Sequence, residues 1–260
     1  MSSFNVDVEF FQKHTQDRGL VLLEAATKHN PRMLMEILEA GWGESTCAEN
    51  PVVGRKFLTQ LKNIASPEDA RNALRLYFRV APPEVVTRQV MGSSASDSNS
   101  SPLLDWMESA NKRPLRQALL DEARSLGADL ESVFTHSVYD PALSKSKSSD
   151  HTVLSVLVAH GTVFQDGKLP EFRMDQVMDI MNAGKSFDKS TAANLLRLPH
   201  KQGLAWIHFF LENGLAKPSQ MLEFTARMTT ADPDRKALLG SMAAMQAIDE
   251  LLLPLQAPGP

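Results

Sequence analysis

The stretch "MDIMNAGKSF", Met178–Phe187, admits two readings, and the choice between them decides the fold. Its Gly184-Lys185-Ser186 is either the tail of a phosphate-binding loop or the punctuation at the end of a helix. A phosphate loop needs a second Gly five positions before its Gly-Lys, so that successive backbone N–H groups curl round the phosphates. That position is Asp179, whose negative charge repels the ligand. Such a loop also runs from a strand into a helix, whereas Met174, Met178 and Met181 recur at helical spacing just before Gly184. The spacing therefore predicts a helix over 174–183 and a C-capping Gly184.

Three other segments close in the same way. "EILEAGW", "ARSLGAD" and "FFLENGL" each place an apolar helical stripe before a small or polar residue and a Gly. The glycines Gly41, Gly127, Gly184 and Gly214 lie 86, 57 and 30 residues apart, close to three, two and one units of about 30 residues. Between them the periodicity predicts six helix pairs. The first is Leu20–Ala26 with Arg32–Ala40. The second is Val53–Ile64 with the helix opening at "SPEDARNALRLYFRV", where Ser66 is the N-cap and Pro67 lies in the first turn. "SPLLDWMESA" with "RPLRQALLDEARSL" is the third, and Thr152–Ala159 with Met174–Ala183 the fourth. Thr191–Leu198 with Leu204–Asn213, then Ser219–Met228 with Asp234–Leu252, complete the series. Strand signals are scarce: there are two Tyr, and alternating β-branched runs are nearly absent.

The expected class is all-α, a solenoid of stacked helix pairs, because one pair cannot bury its own apolar stripe and neighbours must stack. The expected organisation is N-terminal helix pairs over 1–90, a Ser-rich linker over 91–101, helix pairs over 102–253 and a frayed tail over 254–260. "GSSASDSNSS" (92–101) and "SKSKSSD" (144–150) carry too little apolar surface to offset the entropy of ordering them, and read as loops.

Parts of the chain resemble the ankyrin repeat. "LVLLEAATKHNPRMLMEILEAGWG" fits that frame without gaps, with Leu22, Ala25, Ala26, Ala40 and Gly41 on family positions. The Thr, Pro and His of the family's opening are missing there, and His29 replaces the inter-helix Gly. "HTVLSVLVAHG" keeps Thr152, Leu154 and Gly161 at family spacing, followed by about eleven extra residues, "TVFQDGKLPEF", before "NAGKS". "SLGADLE" matches at its close. The resemblance implies a helical-hairpin array that binds another protein. It also admits an effector of microbial origin, delivered into a host cell to act on host proteins.

Composition bounds the alternatives. A formal net charge of −4 over 260 residues gives no footprint for nucleic acid. No apolar run approaches the roughly 20 residues of a membrane span. The N-terminal "MSSFNVDVEFFQKHTQ" lacks the basic-then-apolar order of a secretory signal. Cys47 stands alone, which excludes an intrachain disulfide and fits a reducing, cytoplasmic setting.

Chemistry is thinly signalled. Cys47 lies in the polar "GESTCAEN", with His29, His151, His160 and Asp140 as possible partners for a cryptic thiol or His enzyme. No pattern flanks it that marks a catalytic thiol, and His200 and His208 lack metal-ligand spacing. No catalytic residue, metal or cofactor is therefore expected. The expected activity is recognition of a protein partner, with Trp42, Lys185, Phe187, Lys189 and Lys217, all just beyond helix stops, as exposed contacts.

Overall fold

Pro67, with Ser66 before it and Glu68 and Asp69 behind it, starts a helix as capping chemistry requires. In the computed structural model the Asp69 N–H donates to Ser66 Oγ at 3.3 Å, and the helix α1 runs Pro67–Val80. The structure describes residues 55, 58–80, 101–108, 112–131, 133–140, 145–160, 168–225 and 233–256. The first predicted helix pair, Gly41, Trp42, Cys47 and the stretch 92–100 lie outside the described residues.

The chain divides into two units, Met1–Phe134 and Thr135–Pro260. In the first, α1 is preceded by a 3-10 turn at Leu61–Asn63 and followed by α2 (Pro102–Met107) and α3 (Arg113–Ser125). Ala70, Ala73, Leu74 and Tyr77 are buried at i, i+3, i+4 and i+7 along α1, and Leu115, Ala118, Leu119 and Ala123 form the matching stripe on α3. The two stripes pack together, so helices on either side of the Ser-rich stretch share one core. Above that core the Arg75 guanidinium donates twice to Glu122, Nε to Oε1 and Nη2 to Oε2, each at 2.7 Å. That carboxylate raises the Arg75 pKa above its ordinary value, and Coulomb attraction adds to the hydrogen bond. Trp106 of α2 is fully buried and donates from Nε1 to the Leu58 carbonyl at 2.7 Å, which ties the segment before the 3-10 turn to α2.

A two-stranded hairpin, β1 (Phe134–Asp140) and β2 (Lys145–His151), starts at the last residue of the first unit and otherwise belongs to the second. Four residues join the strands, too few for a parallel crossover, so the pair is antiparallel. This corrects the expectation of a loop over 144–150. "KSKSSDH" has no strand propensity of its own, and its backbone donors and acceptors find partners in "FTHSVYD", whose Phe, Val and Tyr suit a strand.

Among the described residues six helices follow: α4 (Val153–Ala159), α5 (Glu171–Asn182), α6 (Lys189–Leu195), α7 (His200–Glu212), α8 (Pro218–Thr225) and α9 (Pro233–Gln256). Helix thus dominates the described residues, as the periodicity predicts. Val153–Val158 are buried on every side, so α4 is an interior helix, too short to persist without that burial. It packs on α5 and α6; α6 packs in turn on α8, and α9 on both α7 and α8. Phe187, Trp206, Phe209, Phe210 and Phe224 stack edge-on and face-on within this unit, with the Phe187 and Phe210 ring centroids 5.1 Å apart.

Gly184 stops α5 as predicted. Its φ is 109°, its N–H donates to the Met181 carbonyl at 3.0 Å, and the Lys185 N–H donates to Ile180 at 3.2 Å. These are the two bonds of a Schellman stop, and Gly127 and Gly214 repeat them after α3 and α7. Among the described residues no helix is long and apolar enough to cross a membrane.

Candidate functional site

In the second unit α4 and α6 each start on a capping residue, and the two caps meet. Thr152 caps α4 in a reciprocal box with Ser155: the Ser155 N–H donates to Thr152 Oγ1 at 3.2 Å, and the Thr152 N–H to Ser155 Oγ at 3.1 Å. Asp188 caps α6, its Oδ1 accepting from the Thr191 N–H at 2.8 Å. The Thr152 hydroxyl then donates to Asp188 Oδ2 at 2.8 Å, and Gln220, in the first turn of α8, donates to the Phe187 carbonyl at 3.2 Å. The N-terminal ends of α4, α6 and α8 therefore lie side by side.

At this edge stand four of the five residues predicted to touch a partner. Lys189 and Lys217 are exposed, as expected. Lys185 and Phe187 are not, and this is a correction. The Schellman stop turns the chain inward after Gly184, so the Lys185 side chain is fully buried, with Nζ 2.8 Å from Asp188 Oδ2. Phe187 is 2 % exposed and sits between Phe210 and Phe224. Both hold the edge together from beneath. Trp42 lies outside the described residues.

Behind the edge is a buried polar cluster that position in sequence does not announce. His151 is buried, its Nε2 2.9 Å from Ser149 Oγ and its Nδ1 3.3 Å from Ser155 Oγ and 3.2 Å from Asn194 Nδ2. Asn194 Nδ2 also donates to the Ser155 carbonyl at 2.8 Å, while Arg197 donates to Asn194 Oδ1 at 3.1 Å. Ser190 Oγ donates to Ser155 Oγ at 3.1 Å. Serine beside histidine invites comparison with a hydrolase dyad, but the geometry serves packing. Ser155 is completely buried, and its hydroxyl donates to the Thr152 carbonyl at 2.9 Å while accepting from two donors. A nucleophile needs a free lone pair, access for a substrate and donors aimed at a developing oxyanion. This hydroxyl spends its hydrogen bonds joining β2, α4 and α6.

Two signals in the sequence point to the cluster. Thr152-Val-Leu-Ser155 has the spacing of a capping box with Ser in place of Glu, and Asp188 stands three residues before Thr191. Nothing local marks His151 or Asn194, 43 residues apart, as neighbours. Among the described residues no three of His, Cys, Asp and Glu gather to hold a metal.

Compared with models of known families, with curated proteins and with solved structures, the chain matches none.

Proposed function

We propose that residues 135–260 form a short solenoid of stacked, ankyrin-like helix pairs that recognises a partner protein and carries out no bond chemistry. One observation carries the reading. The starts of α4, α6 and α8 touch at one end: the α4 cap meets the α6 cap across 36 residues, and the α8 first turn meets the start of α6 across 33. That recurrence is what a stacked array of units of about 30 residues requires. Part-buried hydrogen bonds hold these helix starts together, and an edge ordered in advance binds at a lower ordering cost. Lys189 and Lys217 are the contacts on it.

Photo-crosslinking amino acids at 189 and 217, with exposed Glu131 as control, test the function. The expected result is one saturable adduct, formed from both edge positions and competed away by unlabelled chain. It should be lost when the other lysine is reversed in charge, Lys217→Glu with the crosslinker at 189 and Lys189→Glu with it at 217, in protein of unchanged circular dichroism. Adducts of equal yield from all three positions, or none from the edge, would overturn the assignment.

A further inference from the structure

We propose that α9 is a self-association helix: its outward face pairs antiparallel with the same face of a second copy of this chain. The inference rests on α9 alone and not on the proposed function.

Leu238 and Met242, four residues apart and buried, mark the side of α9 that packs on α7 and α8. Gly240 stands two residues from each and so on the opposite side of the helix. Ala237, Ala244, Ala247 and Ile248 share that side at helical spacing, and all are exposed. A helix packed on one face normally presents charged or polar residues to water on the other. This one is apolar on both. The outward face is also open, since a Cβ built at Gly240 meets nothing within 4 Å. Ile248 is 57 % exposed, more than any other large apolar side chain among the described residues. A contiguous apolar face with charges at its ends is the surface expected of a contact.

Length adds a second reason. Met242 is the last buried position among the described side chains of α9, yet the helix continues to Gln256, about 20 Å farther along its axis. A helical stretch of that length is marginal in water unless one side of it packs against something.

Charge selects the occupant. Among the described residues of this face the charged side chains are Lys236 near its start and Glu250 near its end, both exposed. They lie two heptads apart and therefore on the same flank. Glu250 Oε1 accepts from Gln246 Nε2 at 2.7 Å, which holds the carboxylate along that flank. A partner of one sign, acidic or basic, would satisfy one of these charges and oppose the other. Two copies aligned in parallel would set lysine against lysine and glutamate against glutamate. Turned antiparallel about Ala243, midway between the charges, each copy sets its Lys236 against Glu250 of the other. The helix dipoles then oppose as well, which is the favourable arrangement. Between the paired charges Gly240, Ala243, Ala244 and Ala247 carry little bulk, so the two backbones can approach closely, and Ile248 flanks the seam.

The test is sedimentation velocity of the full chain from about 1 µM to about 500 µM, a range that covers weak association. A reversible monomer–dimer equilibrium is expected of the wild type. Ala244→Glu sets a charge at the centre of the face, at an exposed helical position, and should leave circular dichroism unchanged and the chain monomeric throughout. Lys236→Glu and Glu250→Lys each turn both ion pairs into repulsions and should weaken the dimer about tenfold. Those two variants mixed together regain opposite charges and should associate, as should the double Lys236→Glu/Glu250→Lys chain. Glu131→Lys, an equal change of charge elsewhere on the surface, should leave the dimer unaltered. A wild-type chain that stays monomeric overturns the proposal and leaves the face to a different protein. A dimer indifferent to Ala244→Glu or to the single charge reversals overturns it as well. Should Ala244→Glu not fold, the charge reversals and their restoration decide alone.

Discussion

Gly203 lies within α7 where that helix passes α9. A Cβ built there would sit 2.7 Å from Leu238 Cδ1 and 3.0 Å from the Leu195 carbonyl oxygen. Alanine normally improves a helix interior by about 1 kcal/mol over glycine. Leu238 is fully buried, so moving it aside must displace its neighbours, and the carbonyl belongs to the backbone. Gly203→Ala is therefore expected to lower stability by about 1–2 kcal/mol in urea unfolding; a gain would show that α9 gives way. Asp188 offers a second residue-scale test. It caps α6, accepts from Thr152 and neutralises the buried Lys185. Asp188→Ala should cost about 2–4 kcal/mol, since a lost cap and a lost partner for a buried ammonium add. Asp188→Asn keeps the cap oxygen and should cost less. The capping role of Asp188 is legible in sequence; its link to Thr152 is not, because 36 residues separate them. Lys185 and Phe187 mislead for the same reason. Residues just past a helix stop read as solvent-facing until the turn's direction is known, and the Schellman geometry turns these two inward.

Helix stops and starts carry most of what the elements owe to local sequence. Gly184 holds φ at 109°, where a side chain is strained, so Gly184→Ala is expected to cost about 1–2 kcal/mol and to fray the end of α5 in hydrogen exchange. The 3-10 turn and α2 depend on a longer reach. Trp106→Phe keeps most of the apolar volume but leaves the Leu58 carbonyl without its 2.7 Å donor, for an expected loss of about 1–3 kcal/mol. Six predicted helices of the second unit recur within a few residues of their expected bounds, because caps and apolar periodicity act within a turn or two. The strand β2 was not legible. Its serines and lysines have no preference for extension, and only the neighbouring strand supplies one. The Arg75–Glu122 pair on α1 and α3 is equally non-local. Because the guanidinium's pKa is raised, its share of stability is present throughout the neutral range and is lost only as pH climbs past that raised value.

For the whole molecule, the two units have separate cores, one around Trp106 and Leu119, the other around Trp206 and Leu195. Leu119→Ala and Leu195→Ala should each cost about 2–5 kcal/mol. Each lesion is expected to raise hydrogen exchange first in its own unit, in α1 and α3 for the former and in α4, α6 and α8 for the latter. By contrast, Lys189→Glu and Lys217→Glu touch exposed positions and should leave stability within about 0.5 kcal/mol, so that any loss of partner capture reports on binding.

By itself the sequence determined the helical class, the stops at Gly127, Gly184 and Gly214 and the capping of α1, α4 and α6 by Ser66, Thr152 and Asp188. These depend on φ, on missing N–H groups and on side-chain oxygens within three residues of the backbone they serve. The tertiary structure alone decided which lysines meet solvent and that "SKSKSSD" pairs as a strand. It also brought His151, Ser155 and Asn194 into one buried cluster. Those outcomes depend on atoms supplied from 4 to 43 residues away, and no local preference encodes a partner at that range.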